Sequence, residues 1–272
     1  MLRKHISDEL NRSIIPDGES VGVKKGLKNY IAEKLRKVLI ILETPNALRA
    51  RRAGCYFELY SSVYRLHAMG LRPLTILDIG ASRGMFSRCA HYVFPAAAVY
   101  AFEPLRDCYE NLANLKSVIK KFESYNVALG AENGETAIHR SSYDYSSSLL
   151  EMGELHKEAF PYSAGERLEK VEVRTLDGIL KGKSLERPVL MKIDVQGYEK
   201  PVLLGARETL ACTDYVVCEM SFKPLYKGQA LFDEVYHHLV SSGFRFFGQV
   251  GELQHPDSSE VLQVDGLFIR EK

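Results

Sequence analysis

The chain lacks an excess of either charge. Its 36 Lys and Arg stand against 35 Asp and Glu, so no global field gathers nucleic acid or an anionic membrane. It also lacks long apolar runs. The longest near the amino end, Val38 to Leu42, is far too short to cross a bilayer, and the opening residues have no apolar core of a leader peptide. These absences predict a cytoplasmic protein with no membrane span. The five cysteines, Cys55, Cys89, Cys108, Cys212 and Cys218, are odd in number, scattered and without a CxxC pair, which argues against a disulfide framework or a zinc site and for buried free thiols. There is no GxxxxGK[ST] phosphate loop, no GxGxxG fingerprint and no internal repeat.

An apolar fraction of 46% and a charged fraction of 26% suit a globular protein, and 272 residues suffice for one large domain with a small helical appendage. Residues 1–25, with Pro16, Gly18 and Gly22, read as a loose lead-in. Two helical patterns follow. Residues 28–43 place Ile31, Leu35, Val38, Leu39 and Leu42 at helical spacing, and residues 46–70 end on Gly70 as a helix should. The Arg49, Arg51 and Arg52 cluster reads first as a solvated helix face. Residues 1–72 are thus an N-terminal helical segment, open to self-association, and 73–272 the main domain.

From Pro73 onward, apolar strand-like runs alternate with amphipathic helical ones. LTILDIG precedes a helix over 85–93, AAVYAFEP one over 106–115, and FESYNVAL (122–129) is a third strand. PVLMKIDV precedes a helix over 201–210, and YVVCEM one over 232–242. Apolar runs without alternation are buried on both faces, which together with the intervening helices predicts a parallel, doubly wound α/β sheet. The tail differs: FRFFGQV and VLQVDGLFIRE leave no room for a helix between them, so they pair antiparallel at one edge. A sheet finished in this way is the Rossmann-like architecture of class I methyltransferases. Residues 132–188 form an insertion carrying the tract RSSYDYSSSLL.

Ligands of open α/β sheets bind beyond the carboxyl ends of the strands. Asp78, Gly80, Ala81 and Gly84 of the DxGxxxG turn lie there, where the missing side chains admit close approach of backbone to ligand. Glu103, followed by Pro104 at the end of the second strand, is placed to accept hydrogen bonds from two ribose hydroxyls. The competing reading is an acid favoured at a helix start. Asn126 and Ala128, ending the third strand, flank the adenine in this reading. Together these residues point to S-adenosylmethionine.

The chain resembles the FkbM-type S-adenosylmethionine-dependent methyltransferases. The residues that carry the likeness are LDIGASRGMFS, AFEPLRDCYENLANL, NVALG, SSSL, RTLDGIL and, most specifically, MKIDVQGYEKPVLLGARETL, in that order between Leu74 and about Ser221. The resemblance implies S-adenosylmethionine as methyl donor and a hydroxyl of a sugar or natural product as acceptor. Gln196 stands where the family more often has glutamate.

A hydroxyl is a poor nucleophile, so transfer requires alignment and removal of a proton. Lys192 and Asp194 interrupt an otherwise apolar strand on one side of it, and Glu219 ends the neighbouring strand. Asp194 is the expected proton acceptor, with Lys192 holding it ionised. Two alternatives remain open: a structural ion pair, and a divalent cation such as Mg²⁺ shared by Asp194 and Glu219, for which a third ligand is not evident. His139 and His156 in the insertion are alternative bases. His237 and His238 are adjacent on a helix and face different ways. Asp177 reads as a turn or a site residue. The serine and tyrosine tract is expected over the pocket. The expected partner is a small-molecule or glycan acceptor rather than nucleic acid; transfer to nitrogen or protein, and a cofactor-binding module without activity, are the competing readings.

Overall fold

Residues 34, 35 and 37–271 are described by the structure, a computed structural model. The chain divides into two compact units, Met1–Pro45 and Asn46–Lys272. In the first, residues 37–43 are helical; the lead-in and the start of the helix expected from residue 28 lie outside the described residues.

The second unit opens with α1 (Ala47–Arg52) and α2 (Phe57–Ala68). A single helical pattern becomes two helices because the chain turns at Gly54, with φ 88°. The boundary expected at residue 72 therefore falls inside this unit. The reason is packing: α2 buries Tyr60, Val63 and Leu66, and Tyr60 meets Tyr92 of α3 (Met85–Val93) edge-on at 5.7 Å.

The main sheet has seven strands in the order β3-β2-β1-β7-β8-β10-β9. β1 (Thr75–Ile79), β2 (Ala98–Phe102), β3 (Phe122–Tyr125), β7 (Val189–Ile193) and β8 (Tyr215–Ser221) run parallel. β10 (Val261–Arg270) is antiparallel to β8 and to its hairpin partner β9 (Phe244–Gln254), as the tail predicted. β1 and β7 are buried along their whole length, which is why their sequences do not alternate. The strand order reverses between β1 and β7, and the ligand crevice opens there.

The third strand is shorter than expected. It ends at Tyr125 because the Asn126 side-chain amide donates to the carbonyl oxygens of Glu103 and Pro104, at 2.9 and 2.8 Å, and turns the chain away. Ala128–Leu129 is a separate strand, β4, in a second sheet of order β4-β6-β5, with β5 at Gly134–Ser141 and β6 at Glu166–Arg174. The insertion is thus an ordered sheet, with a short helix α5 (Glu154–Ala159) between its long strands. α4 (Arg106–Ala113) follows β2, and α6 (Leu176–Leu180) precedes β7. The helix expected over 201–210 is split into α7 (Glu199–Leu204) and α8 (Arg207–Cys212) at Gly205, where a Cβ would lie 2.0 Å from the Gly130 carbonyl oxygen. α9 spans Phe232–Ser241. Among the described residues no helix is long and apolar enough to cross a membrane.

Candidate active site at the carboxyl ends of the strands

Sheet register assembles the site. Asp78 of β1 pairs with Lys192 of β7, which pairs with Val217 of β8; two residues further on the same face come Gly80, Asp194 and Glu219. Glu219 lies opposite Asp265 of β10, and Asp265 opposite Gly251 of β9. One row of positions thus runs across five strands at the crevice, with carboxylates on the middle three.

The glycine turn is sterically required. Gly80 has φ 73°, and a Cβ there would sit 1.8 Å from the Asp194 carbonyl oxygen; at Gly84, φ 79°, it would sit 2.6 Å from Leu115 Cδ1. Asp78 lies fully buried behind the turn, accepting from the Ser87 hydroxyl at 2.6 Å and lying 3.5 Å from Lys192 Nζ. Lys192 also reaches Asp194 Oδ2 at 3.3 Å and donates to the Gly80 carbonyl at 3.0 Å. Burial works against its charge, but Asp194 and Asp78 outweigh burial, and the Lys192 pKa is raised.

Glu103 is buried at the mouth of the first cleft. Its Oε2 accepts from the Ser82 N–H and its Oε1 from the Leu105 N–H, each at 2.8 Å. Burial pushes its pKa up to about 7 against the pull of those two donors and of Lys192. Each oxygen keeps a second acceptor direction for a ligand. Gly80, Glu103, Pro104 and Ala128 line this cleft. Asp78, Gly84 and Asn126 shape it from behind, while Ala81 borders a neighbouring apolar cleft beneath α2. The bent glycine backbone and the two half-used carboxylate oxygens fit a nucleoside.

A second cavity of about 330 Å³ adjoins the first. Tyr145 and Gln196 border both, so they form the partition. Gln196 holds a left-handed conformation, φ 56°, and its Nε2 donates to Asp194 Oδ1 at 2.8 Å and to both Glu219 oxygens, at 3.0 and 3.2 Å. Burial, with Asp194 close by, pushes the Glu219 pKa well up. The Tyr226 hydroxyl lies 2.9 Å from Gln196 Oε1 and 3.0 Å from the Ser146 carbonyl, sharing its one proton between them. Glu199 accepts from the Val195 and Gly197 N–H groups at 3.1 Å and so fixes the loop; burial pushes its pKa up to about 7.

Asp194, expected to take the proton, has both oxygens engaged, one by Lys192 and one by the Gln196 amide. The space in which Asp194 and Glu219 could have shared a cation, the alternative left open by the sequence, holds that amide. Among the described residues, three metal-capable ligands do come together at Asp107, Cys108 and Asp144, but Arg140 and Arg83 pair with those carboxylates. These pairs pin the serine and tyrosine tract, as does Ser148, whose hydroxyl donates to the Gln196 carbonyl at 2.7 Å.

His156 borders the second cavity; it is buried, neither ring nitrogen has a hydrogen-bond partner, and burial pushes its pKa down to about 4. His139 lies 3.7 Å from Glu166, outside both cavities. Asp177 is structural: it accepts from the Glu208 and Thr209 N–H groups at the start of α8. Sequence reasoning missed Asp265 and Tyr226, whereas Tyr145 belongs to the tract expected over the pocket. Asp265 carried a usable signal, a lone acid within an apolar strand, the same signal that drew attention to Lys192.

A parallel sheet closed by an edge hairpin, a glycine turn after β1 and a buried acid at the end of β2 define a class I S-adenosylmethionine-dependent methyltransferase. Residues 78–246 match the methyltransferase FkbM domain, and the chain belongs to that family. The 2-O-methyltransferase NoeI of Sinorhizobium fredii (strain NBRC 101917 / NGR234) is 31% identical over 165 residues, a match spanning 57% of this chain and 66% of NoeI. Methyltransferase sdnD of Sordaria araneosa is 26% identical over 204 residues, 62% of this chain and 79% of sdnD. The match to AMB antimetabolite synthetase AmbE of Pseudomonas aeruginosa spans only 9% of that protein at 30% identity. Among solved structures, magnesium protoporphyrin IX methyltransferase from Synechocystis PCC 6803 with bound SAM superposes with a TM-score of 0.44 at 11% identity, covering 78% of each chain.

Proposed function

We propose that the protein transfers a methyl group from S-adenosylmethionine to a hydroxyl of a neutral sugar or small polyhydroxylated natural product bound in the second cavity. S-adenosylmethionine supplies a methyl group on a positively charged sulfur. Glu103 holds the ribose hydroxyls, the Gly80–Gly84 backbone receives the polar tail, and Ala128 flanks the adenine, with Asn126 shaping that wall from behind. Lys192 and Asp194 form a charged floor below the partition, and Glu219 borders the acceptor side.

The observation that carries this reading is the wall of the second cavity. Tyr143, Tyr145 and Tyr162 offer ring faces, and Glu219, Glu252 and Asp265 offer acceptors, while no lysine or arginine among the described residues lines it. Rings and carboxylates suit the C–H faces and hydroxyls of a polyol, and an anionic acceptor meets like charge. That the related NoeI is a 2-O-methyltransferase supports the same acceptor group. The test is mass spectrometry of products from a panel of neutral glycosides, hydroxylated metabolites, amines, RNA and protein. Methylation of a neutral hydroxyl is expected; methyl groups found only on nitrogen, RNA or protein overturn the reading.

A further inference from the structure

We propose that Asp265, on the edge hairpin, is the general base that takes the proton from the acceptor hydroxyl, and that Asp194 positions and tunes it. The inference rests on the O-methyl reading above. Asp265 borders both the second cavity and the cleft that contains Lys192 and Asp194, so it stands in the wall common to the two. Its carboxylate makes no hydrogen bond to any described residue, whereas both Asp194 oxygens are held and Glu219 is bridged by the Gln196 amide. Room for it is built in: directly across the hairpin lies Gly251, where a Cβ would come within 2.3 Å of Asp265 Oδ2.

The charged and titratable groups facing it are Lys192 and Asp194 from the β7 end, Glu219 on β8, Glu252 on β9, and His156 from the insertion. Tyr143, Tyr145 and Tyr162 complete the walls. Burial and then Asp194 push the Asp265 pKa up to about 6, against the pull of Lys192. A base of that strength is ionised at neutral pH yet keeps a useful affinity for the proton. As the hydroxyl oxygen bonds the methyl carbon, the carbon–sulfur bond breaks with its electron pair passing to sulfur, and the hydroxyl proton moves to Asp265.

Three variants test the assignment, with neutral methyl glycosides as acceptors. Asp265→Asn is expected to lower kcat about 100-fold or more and to remove the rise of turnover through about pH 6, with S-adenosylmethionine affinity by calorimetry unchanged within about twofold. Asp194→Asn is expected to keep that rise but move it to lower pH, because the charge that holds the proton on Asp265 is gone. Gly251→Ala, which displaces the carboxylate end alone, is expected to lower kcat with thermal stability nearly intact. Independently of activity, a carbon-13 carboxyl titration of the free protein should show Asp265 titrating near 6 and shifting down in Asp194→Asn. Asp265→Asn turnover within fivefold of wild type, or an unchanged acidic limb in that variant, overturns the proposal and leaves the O-methyl reading standing. A wild-type enzyme that methylates none of these hydroxyls overturns both.

Discussion

If Glu103 holds the ribose as proposed, cofactor affinity should depend on pH. Its carboxyl is buried and titrates at about 7, and each oxygen already accepts one backbone N–H. Only the ionised form can accept from both ribose hydroxyls without giving up an acceptor site. With a pKa of about 7, roughly a tenth of the protein is competent at pH 6 and roughly nine tenths at pH 8, so the apparent Kd for S-adenosylmethionine should fall about tenfold across that window, or about 1.4 kcal/mol. Glu103→Gln should weaken binding at least tenfold at pH 8, since a charge-assisted hydrogen bond contributes about 1.5–3 kcal/mol, and should remove most of the pH dependence. Calorimetry at pH 6, 7 and 8 on both proteins measures this. An equal slope in the glutamine variant, which would assign the titration to the ligand's own amine, refutes the reasoning. Stability runs the other way. An acid whose folded pKa is raised contributes stability that is complete below its unfolded value of about 4.5 and is lost as pH rises through about 7. Glu199 at about 7 and Asp265 at about 6 act in the same sense, so the Tm of the unliganded protein should fall between pH 5 and 8.

Tyr226→Phe removes the hydroxyl between Gln196 and Ser146 and is expected to cost about 1 kcal/mol of stability, read as a lower denaturation midpoint with an unchanged slope; an unshifted midpoint would count against that bridge. Because the Gln196 amide joins Asp194 to Glu219, chelator should leave wild-type turnover unchanged, whereas Gln196→Glu should lower the Tm and recover it on addition of Mg²⁺ or Mn²⁺. Wild-type activity lost in chelator and restored by metal would refute the amide's role.

What the sequence makes legible here follows from what burial does to residue patterns. β1 and β7 are covered on both faces, so their runs are uniformly apolar and their register in the sheet follows from the parallel topology. Any charge in such a run must be held by another, which is why Lys192 and Asp194 could be picked out and why Asp78, two strand positions before Gly80, proves to be Lys192's other partner. The rest depends on contacts between distant residues. The end of β3 is set by an amide bonding two carbonyls more than twenty positions earlier, and the break between α7 and α8 by the Gly130 backbone. The helix α2 joins the main unit through ring packing on α3, which leaves no local mark beyond ordinary amphipathicity. The decisive case is Asp265. Its strand reads as part of an edge hairpin, where a lone acid in an apolar run carries less weight than in a central strand, until the hairpin folds back beside β8 and the acid comes to lie opposite Glu219, with Gly251 leaving it room. An edge strand's polar residues therefore carry the same interest as a central strand's wherever the edge closes one wall of the crevice, and the glycine across the pair is the feature that marks such a position.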